Sequence, residues 1–340
     1  MFEELDIPIT ESEILSSIKQ LRNNASAGPD YLLNEFFKNG THVLLPYLVK
    51  LFNICLERGF FPDSWSEGHI IPLFKSGDKS EPNNYRGITL LSTLGKLFSR
   101  TLNNRLVKWA ESYNVYIEAQ AGFRKGMSTV DNIFVLNGLI SHCLMNRKKL
   151  YCAFIDFKKA FDFIVRDNLW YKLIKIGVKG KMLSVIKSMY NCVKSKVKHN
   201  NILSEEFTCM LGVRQGECLS PFLFSMFLND IEEELQVKGV EGIELGFLNL
   251  AIMLYADDII LFAESAEALQ KSLNILEDYC NKWKLTVNTE KTKIMIFGNG
   301  GRISNNLNFK YANKSLEILK QFKYLGCVLT SEGAFNEMEK

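Results

Sequence analysis

The chain has 340 residues, of which 47% are hydrophobic and 23% are charged, and its 41 lysines and arginines against 38 aspartates and glutamates leave a formal charge of +3. This composition is typical of a globular protein and excludes a disordered or collagen-like chain. At roughly 150 residues per domain, the length predicts two domains or one large domain with subdomains.

The chain shows no sign of a membrane or export segment. Its apolar stretches, such as 219–228 and 245–256, are shorter than the roughly 18 to 20 residues that a spanning helix needs. The N-terminal residues MFEELDIPIT lack the basic start and apolar run of a signal peptide. The eight cysteines form no CxxC pair and the four histidines lack ligand spacing, which disfavours structural zinc. We therefore expect a soluble, intracellular protein with reduced thiols and no membrane partner.

Charge is distributed unevenly along the sequence. Residues 1–65 carry nine acids and five bases, whereas residues 166–204 carry nine bases and one acid. The basic segment interleaves its lysines with Trp170, Tyr171 and Tyr190, a pattern that suits a polyanion such as nucleic acid. A solvated lysine-rich face explains the same pattern equally well.

The N-terminal region is predicted to be helical. Residues 10–13, TESE, form a capping box followed by apolar residues at helical spacing, which predicts a helix to about Arg22. A turn is predicted at 27–30, AGPD, and a second helix at 43–58, before Gly59 and Pro62.

From residue 70 onward the pattern indicates a mixed α and β body. The segments 68–74 and 151–155 are short and apolar, as buried strands are. Residues 251–262 predict a β-hairpin with two acids at its turn. Ser220 and Pro221 indicate the N-cap and first residue of a helix that carries residues 222–235.

Three carboxylates mark a candidate metal site. Asp156 ends a predicted strand, and Asp257 and Asp258 lie at the predicted hairpin turn. Acids at a strand end can converge with acids at a neighbouring turn, and Mg²⁺ ions that bridge substrate phosphates require several oxygen ligands. Taken alone, a solvated Asp-Asp turn is the commoner explanation. A phosphorylatable receiver domain also has acids at strand ends, but its strands alternate with helices in a parallel sheet.

A series of segments resembles, in order, the motifs of the reverse transcriptases of non-LTR (LINE-like) retrotransposons. The resemblance covers roughly residues 70–329. The matching segments are IPLFKSGD at 71–78 and NYRGITLLS at 84–92 (fingers), QAGFRKG at 120–126, FIDFKKAFD at 154–162 (first palm motif), GVRQGECLSP at 212–221 (template and nucleotide motif), YADD at 255–258 (catalytic hairpin), LTVNTEKT at 285–292 (last palm motif) and FKYLG at 322–326 (primer grip).

The resemblance implies roles for individual residues. Asp156 and Asp257 would hold two Mg²⁺ or Mn²⁺ ions, with Asp258 as the supporting acid. The other roles are nucleotide binding by Lys75, Arg86, Phe157, Phe161, Gln215 and Gly216, and a primer grip at Tyr324, Leu325 and Gly326. Lys291 matches the position proposed to protonate the leaving pyrophosphate, although Lys293 would share its face if both lay on a strand.

The expected architecture is an α+β right-hand polymerase with an antiparallel palm sheet backed by helices. The predicted segments are a helical N-terminal extension (1–69), fingers (70–150), a palm with part of the fingers (151–329) and a stub leading to an absent thumb (330–340). The expected thumb is missing or truncated because little sequence follows the primer-grip motif.

The resemblance predicts an RNA-directed DNA polymerase that uses an RNA template, a DNA primer strand and dNTPs. Two alternatives remain: a non-catalytic nucleic-acid-binding relic of the same fold, and an intron-type maturase, which should carry a basic thumb and a further domain. Two departures from the family pattern are also evident. Tyr31 stands where a glycine usually follows AGPD, and Glu217-Cys218 replaces the more usual Cys-Pro.

Overall fold

The computed structural model describes residues 3–200, 202–246, 248–301 and 307–337. The α-helices within these ranges are α1 Glu11–Lys19, α2 Asn34–Asn39, α3 Thr41–Glu57, α4 Asp63–Ser66, α5 Thr93–Ser112, α6 Thr129–Met145, α7 Ala160–Phe163, α8 Arg166–Ile176, α9 Gly180–Asn191, α10 Ser220–Leu228, α11 Ile231–Val237 and α12 Ala266–Trp283. The strands are β1 Gly68–Phe74, β2 Tyr85–Leu91, β3 Leu150–Ile155, β4 Lys194–His199, β5 Ile202–Leu203, β6 Phe207–Thr208, β7 Ile243–Leu245, β8 Leu248–Leu250, β9 Ile252–Tyr255, β10 Asp258–Ala263, β11 Lys293–Phe297, β12 Phe309–Tyr311, β13 Lys314–Leu319, β14 Gln321–Tyr324, β15 Cys327–Thr330 and β16 Phe335–Glu337.

The chain forms two compact units, and each unit is built from two separate stretches. The first unit comprises Met1–Val115 and Phe161–Phe227, and the second comprises Tyr116–Ala160 and Leu228–Lys340. Of the predicted stub, residues 330–337 end β15 and form β16, and residues 338–340 lie outside the described residues. The four-part division into extension, fingers, palm and stub stays a prediction. Among the described helices, none is long and apolar enough to cross a membrane.

The first unit packs helices beside a small sheet. Rings from α3, α4, α5 and the loop before α4 form an aromatic core, in which Phe98 contacts Phe52, Phe61 and Trp65 at centroid distances of 4.9, 6.1 and 5.9 Å. In the sheet, β1 pairs antiparallel with β2 and parallel with β4. The predicted capping box is present, because the Thr10 hydroxyl accepts from the Glu13 backbone and the Glu13 carboxylate accepts from Thr10 N. The predicted first two helices and strand are confirmed, within one to three residues at their ends.

The AGPD turn is a cap for α5. The Asp30 carboxylate accepts hydrogen bonds from Ser92 Oγ at 2.8 Å and from Thr93 N at 2.7 Å. Thr93 begins α5, so its N–H has no partner within the helix and is paired by Asp30. A Cβ on Gly28 would lie 2.0 Å from Leu91 O, so the close approach requires glycine. Tyr31 adopts a left-handed φ of +56° and is 78% exposed. Glycine adopts such a φ without steric cost, which explains why the family pattern has glycine at this position.

We expect Tyr31→Gly to stabilise the protein by about 1 kcal/mol, because glycine adopts this φ without the steric penalty that tyrosine pays. Chemical denaturation measures the difference. Tyr47→Gly is the matched control, since Tyr47 is also exposed but lies inside α3, where glycine should destabilise by about 1 kcal/mol. A destabilised Tyr31→Gly variant would contradict the strain at this turn.

The second unit is built on a six-stranded sheet in the order β12-β13-β11-β3-β10-β9. Its pairs are antiparallel except for β11 with β13, so the predicted antiparallel sheet includes one parallel pair. Strand β3 lies in the middle and all its residues are buried, which explains its continuous apolar sequence. Leu150, Cys152 and Phe154 join the core that includes α6, while α12 packs against β3, β10 and β12.

The predicted single helix over 222–235 is wrong, because two helices, α10 and α11, occupy this stretch. The break falls at Asn229 and Asp230, whose side chains are engaged elsewhere. Asn229 Oδ1 accepts from Ile117 N at 3.1 Å, and Asp230 Oδ1 accepts from the Tyr279 hydroxyl at 2.7 Å. Asparagine and aspartate compete with helical hydrogen bonding in this way, so tertiary contacts override the apolar pattern. The first of the two helices also begins at Ser220 itself.

The basic segment is partly structural. Lys172 is 2% exposed and donates to Phe227 O at 2.6 Å, and the rings of Trp170 and Tyr190 are buried against each other. Trp170 and Tyr190 are therefore core residues, whereas Tyr171, the third aromatic residue of the segment, is 59% exposed. Lys194 and Lys196 both lie near Glu206, at 2.9 and 3.8 Å. The segment thus has both buried and exposed members of the predicted basic and aromatic pattern.

Candidate active site

Sheet register brings the predicted carboxylates of the second unit together. In the β3–β10 pair, Ile155 lies opposite Ile259, so the next position places Asp156 opposite Asp258. Strands β9 and β10 form the predicted hairpin, with Ala256 and Asp257 as its turn. Because residues opposite each other point to one face, the Asp156 and Asp258 side chains share a face at the end of the sheet. The sequence prediction that a strand end and a hairpin turn converge is confirmed.

The electrostatics of Asp258 reflect this convergence. Its carboxylate reaches solvent but is crowded by protein, and burial, followed by the charges of Asp257 and Asp156, raises its pKa to about 6. A raised carboxyl pKa means that the ionised form is disfavoured in the folded protein. The raised pKa therefore contributes to folding stability at pH values below the pKa of this carboxyl in the unfolded chain. That contribution is lost as the pH rises through about 6.

We expect Asp258→Asn to raise the melting temperature of the metal-free protein at pH 8, because it removes one of three mutually repelling charges. The gain should shrink at pH 5, where the Asp258 carboxyl is largely protonated, and should also shrink when Mg²⁺ is added. Scanning fluorimetry at both pH values measures it. Glu244→Gln, at an exposed acid on β7, is the control. Equal shifts in the two variants would show that repulsion at the hairpin is not the cause.

Asp156 is fixed through its backbone. Its N–H donates to Thr292 Oγ1 at 3.1 Å, and its carbonyl accepts from Asn288 N at 2.7 Å. Thr292 is fully buried, and both partners belong to the 285–292 motif. These contacts fix the backbone of Asp156, which also lines a pocket of the second unit. Sequence reasoning singled out the motif but missed the role of Thr292, because a buried hydroxyl has no periodic signal.

A pocket of about 380 Å³ lies beside the acids in the second unit. Its lining includes Asp156, Asp258, Lys291, Lys293 and Tyr324. The expectation that a strand places both lysines on one face is wrong, since β11 begins at Lys293 and Lys291 lies in the preceding turn. Lys293 Nζ is engaged by Glu317 at 2.6 Å and by the Glu290 carbonyl, whereas Lys291 is exposed and makes no ion pair among the described residues.

The carboxylates suit a hard divalent cation. Among the described residues, no three His, Cys, Asp or Glu side chains converge closely enough to form a complete protein cage for a metal ion. Mg²⁺ does not require such a cage, because it is commonly bound by one or two carboxylates together with substrate phosphates and water. Burial and, after it, the charges of Asp257 and Asp156 raise the pKa of Asp258, and a bound cation would offset that repulsion. Asp156 and Asp258 lie opposite each other with Asp257 in the adjoining turn, so their carboxylates would supply oxygen ligands, and the metal site stays a prediction.

The predicted primer-grip residues form a hairpin in the second unit. Tyr324 ends β14, and Leu325 and Gly326 form the turn to β15, with φ values of +45° and +91°. The Tyr324 ring packs against Phe154 at 5.4 Å, and burial raises the pKa of its hydroxyl. The hydroxyl accepts from Asn132 Nδ2 at 3.5 Å. The hairpin is thereby anchored to β3 and α6.

In the first unit, the two predicted phosphate-binding cations lie on one hairpin. Arg86 on β2 is opposite Leu73 on β1, and Lys75 follows two residues after Leu73 with its N–H bonded to Asn84 O at 2.9 Å. Because alternate residues share a face, Arg86 and Lys75 are diagonal neighbours on one face. Both side chains are exposed.

Phe161, Gln215 and Gly216 meet in the first unit. The Phe161 ring stacks on Phe224, with centroids 4.5 Å apart and an interplanar angle of 14°. Gln215 Nε2 donates to the carboxylate of the next residue, Asp162, at 2.9 Å. Gly216 has a φ of +107°, and a Cβ there would lie 2.6 Å from Thr89 O, so the loop runs tightly along β2. The structure thus brings Phe161 and Asp162 beside the loop of Gln215 and Gly216, which follows more than 50 positions later in the sequence.

Two further residues differ from simple expectations. Glu217 is buried and accepts from the Ser99 hydroxyl and from Cys218 N, so it anchors the template motif to α5 in place of a rigid proline.

Phe157 is 5% exposed, and its backbone bridges to Val287. A nucleotide contact by Phe157 is therefore expected from its backbone and not from its ring.

Comparisons with known proteins agree with this arrangement. A family model described as reverse transcriptase (RNA-dependent DNA polymerase) matches residues 75–329. The chain is 32% identical over 292 residues to a probable RNA-directed DNA polymerase from transposon BS of Drosophila melanogaster, covering 84% of this chain and 32% of that protein. It is 28% identical over 330 residues to the RNA-directed DNA polymerase from mobile element jockey of Drosophila funebris, covering 95% and 35%.

The fold is similar to that of apo telomerase from Candida tropicalis truncated from its C-terminal domain, with a TM-score of 0.58 at 14% identity, covering 91% of this chain and 61% of that one. The predicted polymerase architecture of fingers and palm is thereby confirmed, while the absence of a full thumb stays a prediction. The chain belongs to the reverse transcriptase family, and its relatives support the predicted non-LTR type. It spans about a third of the length of these curated relatives.

Proposed function

We propose that this chain carries the polymerase centre of an RNA-directed DNA polymerase, which adds dNTPs to a primer 3′-hydroxyl on an RNA template. The observation that carries the proposal is the sheet register, which places Asp156 opposite Asp258 at the end of the β3–β10 pair, with Asp257 in the adjoining hairpin turn. Its membership of the reverse transcriptase family supports the same reaction. The family's general dependence on divalent metal ions supports Mg²⁺ or Mn²⁺ as the cofactor.

The residues of the second unit suit the reacting end of this chemistry. Asp156 and Asp257 would hold two metal ions, with Asp258 in support, and bound ions would lower the pKa of the primer hydroxyl and neutralise charge on the pyrophosphate. Lys291 would donate a proton to the leaving pyrophosphate, since Lys293 is already bound by Glu317. The hairpin of Tyr324, Leu325 and Gly326 would hold the primer strand.

The residues of the first unit suit nucleotide binding. Arg86 and Lys75 present positive charge from one hairpin face, and a guanidinium can bind phosphate oxygens in a bidentate manner. Gly216 leaves a backbone surface without a Cβ, and Gln215 is held in place by Asp162. Phe161 presents a ring supported by Phe224. We propose that these residues contact the triphosphate, base and sugar of the incoming nucleotide.

The test is incorporation of labelled dTTP on poly(rA) primed with oligo(dT), with Mg²⁺, with Mn²⁺ and with excess EDTA. We expect incorporation only with a divalent cation. Primer–template binding without incorporation under every metal condition would favour the non-catalytic relic. A parallel reaction on poly(dA) primed with oligo(dT) compares the two template types, and a strict preference for DNA would contradict the RNA-directed assignment.

A further inference from the structure

Residues 119–122, at the start of the QAGFRKG segment, contact the outer edge of the predicted catalytic hairpin. Leu254 N donates to Ala119 O at 2.8 Å, and Ala121 N donates to Leu254 O at 3.0 Å. These bonds form a short parallel bridge between Gln120 and Leu254 at the outer edge of β9. The turn of the hairpin therefore lies directly against this segment.

Gln120 binds the backbone of the turn with its side chain. It is 1% exposed, and its Oε1 accepts from Ala256 N at 3.1 Å and from Gly122 N at 2.7 Å. Its Nε2 faces Ala256 O at 3.5 Å. One amide group thus pairs with both backbone groups of Ala256, as a strand neighbour would.

The backbone that Gln120 holds is strained. Ala256 has a φ of +59°, a left-handed conformation that is unfavourable for any residue with a Cβ. Such a conformation persists only where the surroundings determine it. Without its hydrogen bonds to Gln120, the Ala256 peptide would gain access to other conformations, and the position of the next residue, Asp257, would change with it.

Neighbouring residues reinforce the same contact. A Cβ on Gly122 would lie 2.0 Å from Ala256 N, so only glycine permits this approach. Asn132, 3% exposed, donates through Nδ2 to Leu254 O at 3.2 Å and faces the Tyr324 hydroxyl at 3.5 Å. The catalytic hairpin and the primer-grip hairpin therefore share one buried amide.

We infer that Gln120 is a positioning residue, which fixes the Ala256 peptide and thereby the carboxylate of Asp257 relative to Asp156. The step from carboxylate position to polymerisation rests on the proposed function, whereas the step from Gln120 to turn geometry does not. Displacing a ligand by about 1 Å is enough to lower a rate about a hundredfold. In this inference, Gln120 acts on the reaction through the turn, by its hydrogen bonds to Ala256.

The test uses Gln120→Met, which keeps the length of the side chain and removes its amide. Hydrogen exchange at the Ala256 amide should accelerate at least about tenfold, and Mn²⁺ affinity measured by electron paramagnetic resonance should fall about tenfold. In the dTTP assay, kcat should fall with little change in the KM for dTTP. Raising the metal concentration should restore part of the lost kcat of Gln120→Met. It should not restore the activity of Asp257→Asn, which lacks a metal ligand.

Tyr279→Phe is the matched control, because it removes a buried hydrogen bond to Asp230 in the same unit and away from the hairpin. It should lower the melting temperature without changing Mn²⁺ affinity. The wild-type protein alone also tests the inference, since its Ala256 amide should be protected although it lies in a turn. Rapid exchange of that amide in the wild type, or unchanged Mn²⁺ affinity in Gln120→Met, would overturn the inference. If the wild type incorporates no dTTP, the proposed function fails while the exchange and Mn²⁺ measurements still decide the role of Gln120.

Discussion

Asp156→Asn and Asp257→Asn should each abolish dTTP incorporation, with a loss of about a thousandfold or more. Ligands that act as a unit on metal ions lose most of their effect when one of them is removed. Binding of the primer–template should remain, or tighten slightly, because one negative charge near a polyanion is lost. Single-turnover incorporation and fluorescence anisotropy measure the two effects separately.

The hydrogen bonds of Asp156 to Thr292 and Asn288 do not involve its carboxylate. The hydrogen bonds to Thr292 and Asn288 engage its backbone, so replacing the carboxylate by an amide of the same shape leaves them intact. We expect the Asp156→Asn variant to fold, and its melting temperature measures this directly. Glu244→Gln removes an acid of the same unit from an exposed position on β7 and should leave incorporation unchanged.

Activity near the wild-type level in either aspartate variant would remove the basis for the metal assignment. A thousandfold loss accompanied by loss of primer–template binding would point instead to a damaged fold. The combination that supports the assignment is lost incorporation with retained binding and an unchanged or higher melting temperature.

Helices and strands whose buried apolar residues follow a regular pattern could be predicted from the sequence. Strand β3 and the hairpin of β9 and β10 follow from continuous apolar runs, and the convergence of Asp156 with Asp258 follows once those strands pair in register. The capping box before α1 is a local signal and is also confirmed. The strands, the hairpin and the capping box can be predicted because each depends on residues that lie close together in the chain, whereas the convergence of Asp156 with Asp258 also depends on the pairing of β3 with β10.

Features that depend on distant polar contacts could not be predicted in this way. Asn229 and Asp230 interrupt a helix because their partners are Ile117 and Tyr279, more than 40 positions away. Gln120 belongs to a recognised segment, yet its hydrogen bonds to Ala256 are visible only in the folded chain. A lysine such as Lys172 looks like surface in the sequence and is buried in the fold. Polar residues carry no periodic signal that separates these cases.

Phe161→Val and Phe161→Ala should allow the enzyme to add ribonucleotides. The family resemblance implies that a bulky ring five residues after Asp156 lies beneath the sugar of the incoming nucleotide. The ring here is half-buried, with one face stacked on the fully buried Phe224 at 4.5 Å. A ring supported in this way is rigid enough to exclude a 2′-hydroxyl by contact.

The expected size of the effect follows from the cost of accommodating the hydroxyl. Burying it without a partner costs on the order of 1 to 3 kcal/mol in addition to the steric clash. A smaller side chain removes both penalties, and about 1.4 kcal/mol of discrimination corresponds to a factor of ten. The ratio of kcat/KM for dTTP to kcat/KM for UTP should therefore fall at least about tenfold.

The competing explanation is that Phe161 only packs against Phe224 in the core and does not contact the nucleotide. Truncation would then leave a cavity and cost up to roughly 3 to 5 kcal/mol of stability, with no change in selectivity among the molecules that remain folded. Phe98→Val is the matched control, since Phe98 is fully buried in the aromatic core of the same unit. It should lower the melting temperature and leave the dTTP to UTP ratio unchanged. A lower ratio in the Phe161 variants alone supports selection by the ring, whereas an unchanged ratio together with a lower melting temperature assigns Phe161 to the core.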